Sequence, residues 1–125
     1  MARRYDDEDY ENLAKMFESH GLNAPDPKLL PKIGFIERDM AAGFLYLTDS
    51  AIGIIDFFVT MKQSGIVAKN DALDEIVTKL LRAAKAASCE LVKCDTDLYA
   101  VKERAIKHGF ENIGSFQVFV RSLNG

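Results

Sequence analysis

Apolar residues recur along this chain with two periods, and the alternation between those periods divides it into helices and strands. Tyr10, Leu13, Ala14 and Phe17 fall at i, i+3, i+4 and i+7, which is one face of a helix. Asp6 or Asp7 caps it ahead of an acidic first turn, and Gly21 supplies the left-handed position that stops it after His20. A longer stripe predicts a helix from Asp71 to Ala87, with Ala72, Ile76, Leu80 and Ala83 along one line and Leu73, Val77, Leu81 and Ala84 along the next. A third helix covers Leu98 to Lys107, capped by Thr96 or Asp97 and ended by Gly109, with Leu98, Val101, Ala105 and Ile106 inward and Phe110 as an apolar anchor.

The other apolar runs are short and rich in β-branched and aromatic residues, so they read as strands. They are Arg3 to Tyr5, Ile33 to Glu37, Ala42 to Thr48, Ala51 to Thr60 and Glu90 to Asp95, with a closing strand in which Phe116, Val118 and Val120 alternate with Gln117, Phe119 and Arg121. Leu22 to Pro31 holds all three prolines and reads as a loop with one helical turn near Lys28 to Leu30. Arg38-Asp39 and Asp49-Ser50 are too short for anything but hairpins, which makes the middle strands an antiparallel meander. The helix after Thr60 is long enough to cross over to a parallel neighbour. The predicted fold class is α+β: a mixed α/β sheet with an antiparallel meander, one parallel β-α-β crossover and helices on both faces.

Length and charge narrow the function classes. A chain of 125 residues supports one core, so residues 1–125 read as a single domain. A net charge of −3 gives no general attraction to phosphate backbones, which argues against nucleic acid as partner. No apolar stretch approaches the roughly 20 residues of a membrane span, and the N-terminus lacks the apolar core of a signal peptide, so no membrane association and a cytoplasmic location are expected. Cys89 and Cys94 bracket a strand at odd and even positions that point to opposite faces, so they read as free thiols. With only His20 and His108 beside them and no Cys-x-x-Cys pair, no metal site is expected.

Candidate chemistry sits at the mouth of the crossover, where α/β units place ligands. Asp56 interrupts an otherwise apolar strand between Ile55 and Phe57. It reads either as a general base, buried with a raised pKa or at the edge of a solvated cleft, or as a structural carboxylate at a bulge.

The order of elements resembles the GNAT acyltransferase family over nearly the whole chain. The strings that carry the resemblance are AGFLYLTDSAIGIIDFFVT, the helix Asp71 to Ala87, and AVKERAIKHGFENIGSFQVFVRSL with its Gly109-Phe110 pair. In that family an Arg/Gln-x-x-Gly-x-Gly/Ala loop before the long helix lets backbone N–H groups reach the pyrophosphate of acetyl-coenzyme A. Counted back from the helix end, that pattern falls on Ala68, Asp71 and Leu73, none of which matches; Lys62, Gln63, Ser64 and Gly65 offer a shifted alternative. The family's general-acid tyrosine corresponds to Ala105 and its asparagine to Leu98.

The resemblance, with these departures, implies an acetyltransferase-like protein with a degenerate pyrophosphate loop, impaired or inactive as an enzyme. It would act by binding, as an inhibitor, adaptor or assembly protein, with a protein partner or a second copy and no cofactor. The alternative is an N-acetyltransferase that holds acetyl-CoA on Phe58, Val59, Thr60, Lys62, Lys69 and Asn70, with Asp56 as base. Chains of this build also look similar to small proteins of tailed bacteriophages, which implies a host-directed or virion role.

Overall fold

Side-chain alternation organises the centre of the molecule. In β3 (Ala41–Leu47), Ala41 and Leu45 face one side of the sheet, Ala42 and Phe44 face the other, and all four are buried. A strand apolar on both faces needs cover on both. The computed structural model describes residues 1–95, 99–115 and 117–124, with Tyr99 and Ala100 as backbone only. It places β3 at the centre of a five-stranded sheet in the order β1 (Arg3–Arg4), β2 (Ile33–Glu37), β3, β4 (Ile52–Thr60) and β5 (Leu91–Cys94). Neighbours are antiparallel from β1 to β4, and β4 pairs with β5 in parallel across the predicted crossover.

The helices supply the cover. Leu13 and Met16 of α1 (Tyr10–Ser19) close over Ile36, Ala42, Phe44 and Val59, while Ala72, Ile76, Leu80 and Ala84 of α2 (Ile66–Ala86) close over Ala41, Leu45 and Ile55. The third helix, α3 (Tyr99–Lys107), follows β5. A 3-10 turn at Asp7–Asp9 leads into α1, and Asp6 and Asp9 form a reciprocal cap there. Asp9 is almost fully buried and accepts from Arg3 Nη1 and from the Asp6 N–H, each at 3.0 Å. Burial pushes its carboxyl up, but the Arg3 guanidinium and that N–H outweigh the effect and hold it below the usual carboxylate range.

The sheet carries a bulge where the site will lie. Pairing of β3 with β4 steps from Ala42↔Val59 to Phe44↔Asp56, so β4 holds one extra residue. Phe57 takes φ 54°, and Asp56 Oδ1 accepts the Phe57 N–H at 2.7 Å. The extra residue inverts the facing of β4: Ile55 and Phe58 both join the α2 side, whereas Phe57 and Val59 join the α1 side. Before the bulge β4 is paired with β5, from Ile52↔Leu91 to Ile55↔Cys94; beyond it, Asp56 to Thr60 have no β5 partner. The β4 edge beyond Ile55 is therefore unpaired among the described residues.

Close packing leaves no slack beside this bulge. A Cβ on Gly34 would stand 2.4 Å from the ring of Phe44. We expect Gly34→Ala to lower stability by about 1–3 kcal/mol through overpacking, read as a reduced midpoint in urea unfolding.

Two sequence expectations change. Helix α2 begins at Ile66, not Asp71, because Ile66 and Val67 are helical yet 75% exposed, and Val67 lies half a turn around the helix from the buried Ile76. Ile66 is in phase with the buried Val77 and Ala84 but lies at the exposed helix end, and Val67 is off the stripe, so their apolar character does not announce a helix. The closing strand expected at 116–121 is absent from the sheet among the described residues: 117–124 join no strand, and Phe116 lies outside them. Alternation marks a segment able to bury one face, but a strand also needs an edge to pair with, and no described strand pairs with this one. The expected caps Thr96 and Asp97, with Leu98, also lie outside the described residues.

Candidate functional site

The loop from Met61 to Gly65 joins the end of β4 to the start of α2 and is held from three sides. Met61 N–H donates to the Met40 carbonyl at 2.8 Å, Ser64 Oγ donates to the Asp39 carbonyl at 2.6 Å, and Lys62 N–H donates to Ser19 Oγ at 3.0 Å. Asp39 is itself fixed at φ 63° by Asn12, which accepts its N–H at 3.0 Å and donates to its carboxylate at 2.7 Å. His20 Nε2 donates to the Thr60 carbonyl at 2.9 Å, which requires the tautomer protonated there. Helix α1, the β2–β3 turn and β4 thus set the position of one short loop.

What the loop presents is an uncapped helix start. The N-cap is Gly65, with no side chain to accept a hydrogen bond, and the first turn of α2 has no acidic residue. The first helical bond there is from Lys69 N–H to the Gly65 carbonyl at 2.9 Å. The N–H groups of Ile66, Val67 and Ala68 precede it and have no partner among the described residues. Lys69 Nζ folds back to the Lys62 carbonyl at 3.3 Å, which brings one cation across the loop. Free N–H groups at the positive end of a helix, beside Lys62 and Lys69 and with no acidic residue in the first turn, have the chemistry that would suit an anion of diphosphate type.

This arrangement relocates the loop expected at Ala68, Asp71 and Leu73. Those three residues are helical, and Asp71 lies well inside α2 rather than at its cap. Placed on the observed helix start, the Arg/Gln-x-x-Gly-x-Gly/Ala spacing runs from Lys62 through Gly65 to Val67. The first glycine is present, and Lys62 and Val67 are the departures.

The other expected site residues divide into two groups. Asp56 is exposed, so the buried-acid alternative does not describe it, and its carboxylate lies at the bulge. Directly opposite Phe44, it shares the α1 face with Tyr46 and Phe57, whose rings stand 6.1 Å apart. Burial, with the Asp56 charge adding to it, raises the Tyr46 hydroxyl above its ordinary pKa, and that hydroxyl donates to the Leu29 carbonyl at 2.7 Å. Phe58 turns its ring over Gly43 and Val59 is buried, so beyond the bulge these residues and Thr60 can offer a ligand mainly backbone. Asn70 does not face the loop, because its Oδ1 accepts from Arg104 Nη2 at 2.9 Å.

That last contact belongs to a clamp that sequence reasoning missed. Asp74 of α2 accepts from Arg104 Nη1 at 2.6 Å, from Lys107 Nζ at 2.7 Å and from His108 Nε2 at 3.1 Å. The partners lie 30 to 34 residues apart in the chain, and neither helix alone signals the pairing. Burial pushes the Asp74 carboxyl up, but the Lys107, His108 and Arg104 donors more than offset it and bring it down to about 2. A carboxyl depressed in the folded state contributes its stability above the unfolded value near 4 and loses it as pH falls through the folded one. We expect unfolding free energy to drop between pH 5 and pH 2, with about 1–2 kcal/mol due to Asp74 after solvent screening. Urea melts of wild type and Asp74→Asn across that range isolate this part.

Cys89 and Cys94 are free and half-buried, and burial raises the Cys94 thiol. Among the described residues no cluster of three or more His, Cys, Asp or Glu side chains could hold a metal, and no helix is long and apolar enough to cross a membrane. Phe110 packs against the α2-side core, and Ala105 lies on α3.

No protein-family model and no curated protein matches the chain. Solved structures do match over almost its whole length. A Trypanosoma brucei acetyltransferase covers 98% of this chain and 99% of its own with 12% identity and a TM-score of 0.70. A glucosamine-6-phosphate N-acetyltransferase from Arabidopsis thaliana covers 97% of both chains with 13% identity and a TM-score of 0.68. An aminoglycoside N-acetyltransferase solved in complex with CoA covers 98% of this chain and 99% of its own, with 14% identity and a TM-score of 0.64.

Proposed function

From the premise that this chain has the acetyltransferase fold, we propose that it is an N-acyltransferase that takes acetyl-CoA through a non-standard loop. The observation that carries the reading is the uncapped start of α2, with Gly65 at the cap and the N–H groups of Ile66, Val67 and Ala68 free. Asp71 and Leu73 lie too far along the helix to act at this start, where the departures from the family's pattern are Lys62 and Val67.

The residues present fit the carrier by their chemistry. The N–H groups at 66–68 and the Lys62 and Lys69 ammonium groups would hold the diphosphate. The edge of β4 beyond Ile55, unpaired among the described residues, would align the chain of the carrier. When bound, acetyl-CoA supplies an activated acyl group. Asp56, exposed on the α1 face at the bulge, would hold an acceptor ammonium and take its proton so that the neutral amine can attack. With Ala105 where a tyrosine acid would sit, the departing thiolate would take its proton from water.

A second reading, capture of acyl-CoA without transfer, is favoured by that missing acid and by the Asp56 oxygen already engaged with the Phe57 N–H. One experiment separates the two. CoA and acetyl-CoA are titrated by calorimetry, and thiol release from acetyl-CoA is then followed with a panel of primary amines. Binding with amine-dependent thiol release is expected, and saturation at about 100 times Kd should add about 2.7 kcal/mol of stability. Binding without release selects capture, and no binding at millimolar CoA overturns both readings.

A further inference from the structure

Asn12 and Asp9 are the polar side chains buried among the described residues. Asp9 has a charged partner in Arg3, whereas both ends of the Asn12 amide go to one residue, Asp39. Asp39 is the third residue of the turn Glu37 to Met40, which the Met40 N–H closes onto the Glu37 carbonyl at 3.0 Å. Its φ of 63° is a conformation that glycine adopts freely at this turn position and most other residues do not. The Asn12 bracket therefore does for Asp39 what a glycine would do unaided.

We propose that Asn12 is a positioning residue for the anion site at the start of α2, an inference that rests on the reading of that helix start as a diphosphate site. The left-handed turn fixes where two successive carbonyls point. That of Asp39 accepts Ser64 Oγ at 2.6 Å, and that of Met40 accepts the Met61 N–H at 2.8 Å. Ser64 N–H returns to the Met61 carbonyl at 3.1 Å, so Met61 to Ser64 form one turn pinned at both ends. Gly65 follows directly and has no side chain to fix its own backbone, so the direction of the Ile66, Val67 and Ala68 N–H groups depends on how Ser64 is held. Asn12 makes no hydrogen bond to this loop among the described residues and acts on it through Asp39. The same bracket holds the Asp39 carboxylate on Asn12 Nδ2 at 2.7 Å. Once released, that carboxylate would be a free negative charge on the turn that touches the loop, and it would oppose a bound anion.

The test titrates inorganic pyrophosphate into the unaltered chain, Asn12→Ala, Ser64→Ala and the double variant Asn12→Ala/Asp39→Gly, with affinity read from the Ile66, Val67 and Ala68 amide resonances. Binding about tenfold weaker is expected in Asn12→Ala and in Ser64→Ala, as for residues that tune a site they do not touch. The double variant should recover to within about twofold, because glycine holds the left-handed turn without the bracket and brings no carboxylate. A residue that only stabilised the fold would lower the urea midpoint and leave the affinity of the folded protein unchanged. Full affinity in Asn12→Ala, or no recovery in the double variant, overturns the proposal. Should Asn12→Ala lose its circular dichroism spectrum, Ser64→Ala and the double variant decide, and full affinity in Ser64→Ala overturns it. No pyrophosphate binding by the unaltered chain overturns the diphosphate reading and this inference with it, whereas binding that is insensitive to Asn12 overturns the inference alone.

Discussion

Gly65→Asp is expected to make the protein more stable and, at the same time, a poorer binder of CoA. The backbone at Gly65 has φ −61° and ψ 143°, which any residue adopts, and a Cβ there would meet nothing within 4 Å. An aspartate at this N-cap would accept one of the free N–H groups and complement the helix dipole. Together with the reduced freedom of the unfolded chain, that should add about 0.5–1 kcal/mol. The same carboxylate would occupy a donor the diphosphate needs and repel its charge. Losing one charge-assisted hydrogen bond costs about 1.5–3 kcal/mol, or at least tenfold in affinity. Gly65→Ala is the control, because it adds bulk without charge and should bind more tightly than the aspartate variant. Urea melts and calorimetric CoA titrations read both effects. Unchanged affinity in Gly65→Asp would place the diphosphate elsewhere.

Phe44→Ala carries the largest expected loss of stability. The ring is fully buried between α1 and the sheet, 4.8 Å from the Tyr5 ring and 6.5 Å from the Phe57 ring in edge-on arrangements. It lies against Gly34, which has no side chain to fill the space if the ring is removed. The cavity should therefore persist, at a cost of about 3–5 kcal/mol. Domains of this kind have about 5–15 kcal/mol in total, so the variant should be partly unfolded at 37 °C. Because Phe57 at the bulge leans on this ring, any residual fold should also lose the shape of the bulge. A loss below about 1.5 kcal/mol in urea unfolding would show that the α1 side repacks more freely than the geometry indicates.

The sheet was legible because its signals are local. Short polar connectors at Arg38-Asp39 and Asp49-Ser50 force hairpins, and a crossover helix forces the parallel pair β4–β5. Helix α1 was legible for the same reason, with its acidic entry and Gly21 exit. The beginning of α2 was not, since Ile66 and Val67 are both exposed, Val67 is out of phase with the buried stripe, and Gly65 caps by backbone alone. That shift moved the whole candidate phosphate site. Nor was the bulge legible, because in a run such as IGIIDFFVT the inserted residue is defined only by the partner strand. Asp56 was singled out as a break in that run, but its exposure belongs to the bulge and is not written in the run itself. The Asp74 clamp and the Asn12–Asp39 pair join residues far apart in the chain, so their partners emerge only from the fold.

The most direct test follows the backbone amides of Gly65, Ile66, Val67 and Ala68 by two-dimensional nitrogen–proton NMR during titration with CoA and with inorganic pyrophosphate. The account predicts that both ligands shift the Ile66, Val67 and Ala68 resonances in a saturable way, and that Gly65→Asp abolishes the pyrophosphate response. Saturable shifts confined to other parts of the chain, or none at all, would contradict it.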